Sequence, residues 1–128
     1  MGSDVNGDGK VDLVVSNYSA FGSVSVLLGN GDGTFGNQSA VTTGSNTRDV
    51  KLADMNGDGT LDIVAVNEGN NSVSILLGNG NGTFQSQQTQ AVGRHPWYAA
   101  IADLNGDGKL DIVVADYGGN AISVLMGE

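Results

Sequence analysis

Three short stretches of the sequence place oxygen-bearing side chains at alternate positions: Asp4-Val5-Asn6-Gly7-Asp8-Gly9, Asp54-Met55-Asn56-Gly57-Asp58-Gly59 and Asp103-Leu104-Asn105-Gly106-Asp107-Gly108. A further aspartate closes each stretch three residues on, at Asp12, Asp62 and Asp111. Calcium is a hard cation that takes six to eight oxygens, and closely spaced carboxylates on a tight glycine turn supply them. Counting each loop as nine positions, side-chain ligands fall at one, three, five and nine. These are Asp4, Asn6, Asp8 and Asp12, then Asp54, Asn56, Asp58 and Asp62, then Asp103, Asn105, Asp107 and Asp111. Position seven offers only its backbone carbonyl and so tolerates any side chain, here Lys10, Thr60 and Lys109. Three carboxylates on so short a loop repel one another without a cation. The pattern predicts about three Ca²⁺ ions per chain.

Two other readings start from the same residues. An EF-hand opens alike but needs a bidentate Glu at position twelve and helices on both sides. Position twelve is Val15, Ala65 or Val114, and strand-like sequence follows, so that reading fails. Asn-Gly-Asp-Gly is also a good metal-free turn. Threefold recurrence with the closing Asp favours the metal over the turn. Magnesium fits less well, because it keeps its waters and rarely uses all-protein cages.

The elements that must position these loops repeat with them. The first Asp recurs after 50 and then 49 residues, at positions 4, 54 and 103. This defines units 4–53, 54–102 and 103–128 of a single repeat module spanning 1–128. The extra residue of the first unit belongs in the turn around Ser19 to Gly22. After each loop comes a β-branched run: Val11 to Ser16, Leu61 to Val66, Leu110 to Ala115. A second strand alternates polar and apolar residues, as in Ser72-Val73-Ser74-Ile75-Leu76-Leu77, and ends in a glycine-rich turn. A polar third strand is predicted to begin at Thr34-Phe35 and Thr83-Phe84. A fourth runs from Arg48 to Ala53 and from Trp97 to Ala102 into the next loop. Four short strands per repeat is the blade pattern of a β-propeller. The predicted fold is therefore all-β, with blades of four antiparallel strands. Ten strands make about two and a half blades, completed by oligomerisation or by a longer array. A β-solenoid or a plain β-sandwich accounts less well for the strand count.

Composition narrows the function. The net charge is −9, with only five Lys and Arg, which argues against nucleic-acid binding. Nine of the fourteen acidic residues lie in the three loops, so the charge imbalance points back to the cation sites. With no cysteine, there are no disulfides, thiolate metal sites or cysteine nucleophiles. No apolar run reaches membrane-spanning length, so no membrane insertion is expected. The opening Met1-Gly2-Ser3 reads as a cloning remnant that frays ahead of the first loop. One histidine and no Ser, His and acid grouping that stands apart from the repeat give catalysis no support, and no enzyme is predicted.

Segments such as Asp103-Leu104-Asn105-Gly106-Asp107-Gly108-Lys109-Leu110-Asp111-Ile112-Val113-Val114 and Leu76-Leu77-Gly78-Asn79-Gly80-Asn81-Gly82-Thr83-Phe84 resemble the FG-GAP/VCBS repeat family. That family is similar to the blades of integrin α-subunit propellers and of some fungal lectins. The resemblance implies calcium in the loop between the first and second strands of each blade, and an extracellular or cell-surface setting. It departs from complete members in blade number, which are built from about seven. The expected role is structural and recognitional, with a protein or glycan ligand, or alternatively that of a lectin module or the non-catalytic propeller of a larger extracellular enzyme. Open blade edges predict a homo-oligomer. His95, Pro96, Trp97 and Tyr98 interrupt the repeat with aromatic character where the previous unit has Asn46-Thr47-Arg48-Asp49. They can stack on a sugar, although blade-junction packing is the commoner role of such residues. Phe35 and Phe84 are expected in the core. Asp32 sits in a second glycine turn without a closing acid and reads as a turn residue.

Overall fold

The β-branched runs and the glycine turns between them do build strands. In the computed structural model, which describes residues 1–127, eleven strands form three antiparallel sheets among the described residues. The first sheet holds β1 (Gly2–Ser3), β2 (Asp12–Asn17), β3 (Ser23–Leu27) and β4 (Ser39–Thr42), paired in that order. The second repeats it with β5 (Thr47–Ala53), β6 (Asp62–Asn67), β7 (Ser72–Leu76) and β8 (Gln88–Ala91). The third has β9 (Pro96–Ala102), β10 (Asp111–Asp116) and β11 (Ala121–Leu125). Each sheet is an up-and-down meander whose acidic loop joins its first two strands, which is the build of a propeller blade. The three sheets do not close into a ring. Glu128, the end of the third unit, lies outside the described residues.

The second sheet shows why such a blade needs neighbours. All six residues of β6 are buried, because its two faces are covered by different sheets. Ile63, Ala65 and Leu76 face the first sheet and join Val5, Val14, Val24, Val26 and Val50 in one apolar cluster. Val64, Val66 and Val73 face the third sheet and join Ala99, Ile112 and Val114 in another. At about 1.5–3 kcal/mol for each fully buried aliphatic side chain, these two junctions supply the main stabilisation of the stack. The outer strand β8, by contrast, is exposed throughout and polar, and contributes mainly backbone pairing.

Several details depart from the sequence reading. Met1 to Ser3 do not fray. Gly2 and Ser3 pair with Leu13 and Asp12, the Met1 amino group donates to the Val14 carbonyl at 2.6 Å, and the Val14 amide donates to the Met1 carbonyl at 2.9 Å. A strand ladder needs only backbone groups, so three residues suffice and the strand count is eleven, not ten. The polar strands begin at Ser39 and Gln88, later than predicted. Phe35 and Phe84 make only isolated bridges, to Gly29 and Gly78. Phe84 is half-buried against the first apolar cluster, whereas Phe35 is exposed, on a face of the first sheet that no other sheet among the described residues covers. The one-residue insertion does lie between β2 and β3, which are joined by residues 18–22 where the second unit uses 68–71.

Candidate metal centre

Each acidic loop takes one conformation, set by glycines at its fourth and sixth positions. In the middle loop Gly57 and Gly59 have φ of 75° and 87°, a left-handed region in which a side chain is strained. The turn folds backbone amides inward onto the first aspartate. Gly57 and Asp58 donate to Asp54 Oδ1 at 2.8 and 3.1 Å, and Gly59 donates to Asp54 Oδ2 at 2.8 Å. The same set surrounds Asp4, through Gly7, Asp8 and Gly9, and Asp103, through Gly106, Asp107 and Gly108. The fifth position accepts from the seventh: Lys10, Thr60 and Lys109 amides donate to Asp8, Asp58 and Asp107 Oδ1, each at 2.9 Å. The third position turns its amide towards the same group, with Asn56 Nδ2 donating to Asp58 Oδ2 at 3.1 Å. Thr60 departs from its lysine counterparts in also donating its hydroxyl to Asp58 Oδ1, at 2.7 Å.

The closing aspartates do something the sequence did not announce. Asp62 is fully buried, and its two oxygens accept amides from different elements. Met55 of the loop donates to Oδ2 at 2.7 Å, and Gly78, just past β7, donates to Oδ1 at 2.8 Å. Asp12 links Val5 and Gly29 in the same way, and Asp111 links Leu104 and Gly127. The carboxylate therefore rivets loop, second strand and third strand together. Glycine is required opposite it: a Cβ on Gly78 would lie 2.1 Å from the Leu61 carbonyl oxygen.

The donor set suits a hard cation: three carboxylates, one amide oxygen and the seventh-position carbonyl per loop, all oxygen. Each carboxylate oxygen carries two lone pairs, and most here accept a single amide. The electrostatics point the same way. Burial raises the Asp62 carboxyl above the usual aspartate value, against its two amide donors, and the negative charges of Asp58 and Asp54 push it further up. The outer carboxylates are held low by donors instead: Asp4 chiefly by the Gly9 amide, Asp58 by the Thr60 hydroxyl and Asp107 by the Lys109 amide. Among the described residues no three acidic or histidine side chains are gathered closely enough to hold a metal ion as they stand. Of the fifteen predicted positions, twelve, including Lys10, Thr60 and Lys109, lie on three equivalent loops, and Asp12, Asp62 and Asp111 are the first residues of β2, β6 and β10.

The aromatic interruption is a junction. Trp97 stacks on Tyr117 at 4.1 Å between ring centroids, and the Arg48 guanidinium lies 4.6 Å from the Trp97 ring, so its surroundings are protein. Arg48 also sits 5.1 Å from the Tyr18 ring and pairs through Nε with Glu68 Oε2 at 2.8 Å. Tyr18 and Glu68 are joined directly, the phenol donating at 3.0 Å. Tyr18, Arg48, Glu68, Trp97 and Tyr117 thus form one polar and aromatic chain across all three sheets, which the sequence alone did not connect. Asp32 behaves as a turn residue, accepting the Thr34 amide at 2.9 Å, as Asn81 does from Thr83 at 3.0 Å.

Meandering sheets stacked face to face, each with an acidic glycine loop between its first two strands, define a β-propeller repeat module. The chain belongs to the FG-GAP-like repeat family, whose model matches it twice, over residues 4–65 and 54–114. No curated protein matches the sequence. Among the described residues no helix is long and apolar enough to cross a membrane.

Proposed function

We propose that this module binds Ca²⁺ at its three acidic loops and uses the ions to brace blades whose role is structure and recognition. The observation that carries the reading is the threefold recurrence of one loop conformation, with the same oxygen donors at the same positions. A bound cation would be held by the side chains at positions one, three, five and nine and by the carbonyl at position seven. It would offset the mutual repulsion of three carboxylates and the burial of Asp62. Its chemistry is charge neutralisation and cross-linking, with no catalytic step. An extracellular or cell-surface setting accords with this, since millimolar calcium is available there and modules of this kind bind at roughly 10⁻⁴ to 10⁻³ M. Calorimetric titration with CaCl₂ tests the proposal directly, paired with melting curves in calcium and in chelator. Uptake approaching three ions per chain supports it; no heat and coincident melting curves refute it.

The lectin reading keeps a narrower footing. Trp97, its principal residue, is enclosed by Arg48 and Tyr117, and the exposed Phe and Tyr rings among the described residues are Tyr18, Phe21, Phe35, Tyr98 and Tyr117. A role beside the catalytic part of a larger extracellular enzyme needs no feature beyond the braced scaffold itself.

A further inference from the structure

The second sheet has one side turned towards the third sheet and the other turned towards the first. In the second sheet, Met55, Val73 and Ile75 face forward into one cluster, while Leu61, Ala65 and Phe84 face back into the other. The first sheet sends Leu28 forward onto the second. The equivalent forward residues of the third sheet are Leu104, Ile122, Val124 and Met126. The equivalent backward residues of the first sheet are Val11, Val15 and Phe35. All seven lie between 37% and 68% exposed, although their counterparts are buried or half-buried. They make up most of the large exposed hydrophobic side chains of the chain. The two end surfaces are thus not merely apolar: they are the two halves of a junction the molecule already forms twice.

We propose that the 128-residue chain associates head to tail with a second copy. The forward side of one third sheet packs on the backward side of the other's first sheet, at two identical junctions that close a ring. The partner is argued from continuity with the internal junctions. Forward valines and leucines of one sheet already pack on backward aliphatic residues of the next, with β2 against β5 and β5 against β9. The copy number follows from blade count. Closed propellers have about four to eight blades, so with three sheets per copy only two copies fit. A heterologous contact closes rather than growing into a filament when the rotation it imposes completes a circle. Solvent-exposed apolar patches of this kind mark association sites in soluble proteins.

The test is the solution mass of the chain and of two single variants, by light scattering after size exclusion at tens of micromolar protein and physiological salt. The wild type is expected at twice the 13.0 kDa chain mass. Ile122→Asp alters only the forward surface and Val15→Asp only the backward one, and each is expected to give the monomer. Both residues are exposed in the single chain, so a circular dichroism spectrum matching wild type confirms that neither change unfolds it. A wild-type monomer, or a mass other than twice the chain, overturns the proposal. So does a dimer that survives either substitution, because a like-on-like dimer would depend on one surface alone.

Discussion

The Gly78 amide donates to Asp62 Oδ1 at 2.8 Å, across 16 residues of sequence, while the other oxygen of the same carboxylate holds the Met55 amide at 2.7 Å. One buried side chain thus fixes the loop to both neighbouring strands before any cation is considered. In this it differs from Asp58, whose bonds stay within the loop, to Thr60 and Asn56.

That difference gives the first prediction. Asp62→Ala strands two buried amides, and hydrogen bonds to charged groups contribute about 1.5–3 kcal/mol each. The variant should lose on the order of 3 kcal/mol in chelator, and more in calcium, where a ligand is lost as well. Asp58→Asn keeps an acceptor for the Thr60 amide and should lose stability mainly in calcium. Urea titrations under both conditions separate the two. An Asp62→Ala variant as stable as wild type in chelator would show that Asp62 acts only through the metal.

A second prediction concerns a broken copy of a repeated network. In the second sheet Asn67 donates to Ser72 and Ser74 Oγ at 3.1 and 2.8 Å and accepts from Thr47 Oγ1 at 3.1 Å. The third sheet has Asp116 in place of Asn67 and Pro96 in place of Thr47. Asp116 is buried, accepts only from Ser123 Oγ at 2.6 Å, and leaves Oδ1 without a partner. An unpaired buried carboxylate is costly. Asp116→Asn should therefore stabilise the protein, by about 1 kcal/mol, which for a domain of this size raises Tm by roughly 3–6 °C. A melting temperature that falls on substitution contradicts this.

Much of the fold was legible because repetition separates scaffold from accident. Leu61 to Val66 and its two counterparts could be read as strands from β-branching, and the insertion at 18–22 from the one-residue difference in period. The site residues were legible as a list, since alternate oxygen side chains on glycine turns follow from calcium's needs. The tie from Asp62 to Gly78 was not, because a backbone amide leaves no mark in sequence. β1 escaped for the same reason: Gly2 and Ser3 have no strand propensity, and their pairing rests on backbone groups alone. Phe35 was misplaced because its counterpart Phe84 is covered by the preceding sheet, and burial depends on the neighbour as much as on the residue type. The chain of Tyr18, Arg48, Glu68, Trp97 and Tyr117 crosses three units at separations no local pattern reports.

The Arg48–Glu68 pair predicts a pH dependence. Arg48 donates to Glu68 and holds its carboxyl below the usual 4.5, with Tyr18 and the nearby His95 assisting. A carboxylate with a depressed folded-state pKa adds stability above its unfolded value and loses it as pH falls through the folded one. Asp62, raised by burial, acts in the opposite sense when no cation is present. Glu68→Gln should thus be less stable than wild type near neutral pH, and the gap should narrow below pH 4.5. Denaturant midpoints across that range check it. A gap that stays constant with pH assigns Glu68 a packing role in place of the ionic one.

The last prediction ranks the three cation sites. Fraying of Met1 to Ser3 would make the first loop the weakest. The structure changes that order. The first loop is anchored by β1 and by Val5, which is buried in the first apolar cluster. The third loop carries Leu104 at the equivalent place, and Leu104 is exposed. The middle loop has both flanking strands at full length and Met55 packed against the second cluster. A loop already held in shape loses less entropy on binding, so the middle site should be tightest, the first next, and the third weakest while Leu104 stays uncovered. Asp8→Asn, Asp58→Asn and Asp107→Asn each remove one loop carboxylate while leaving the turn glycines in place. Each should lower calorimetric stoichiometry by about one ion, and the calcium-induced rise in Tm should shrink most for Asp58→Asn. The ranking is best measured in the Ile122→Asp background, where association cannot cover Leu104. If Asp107→Asn proves the most damaging there, the anchoring of the second-position side chain does not set affinity. If none of the three changes the stoichiometry, the loops are turns and not cation sites.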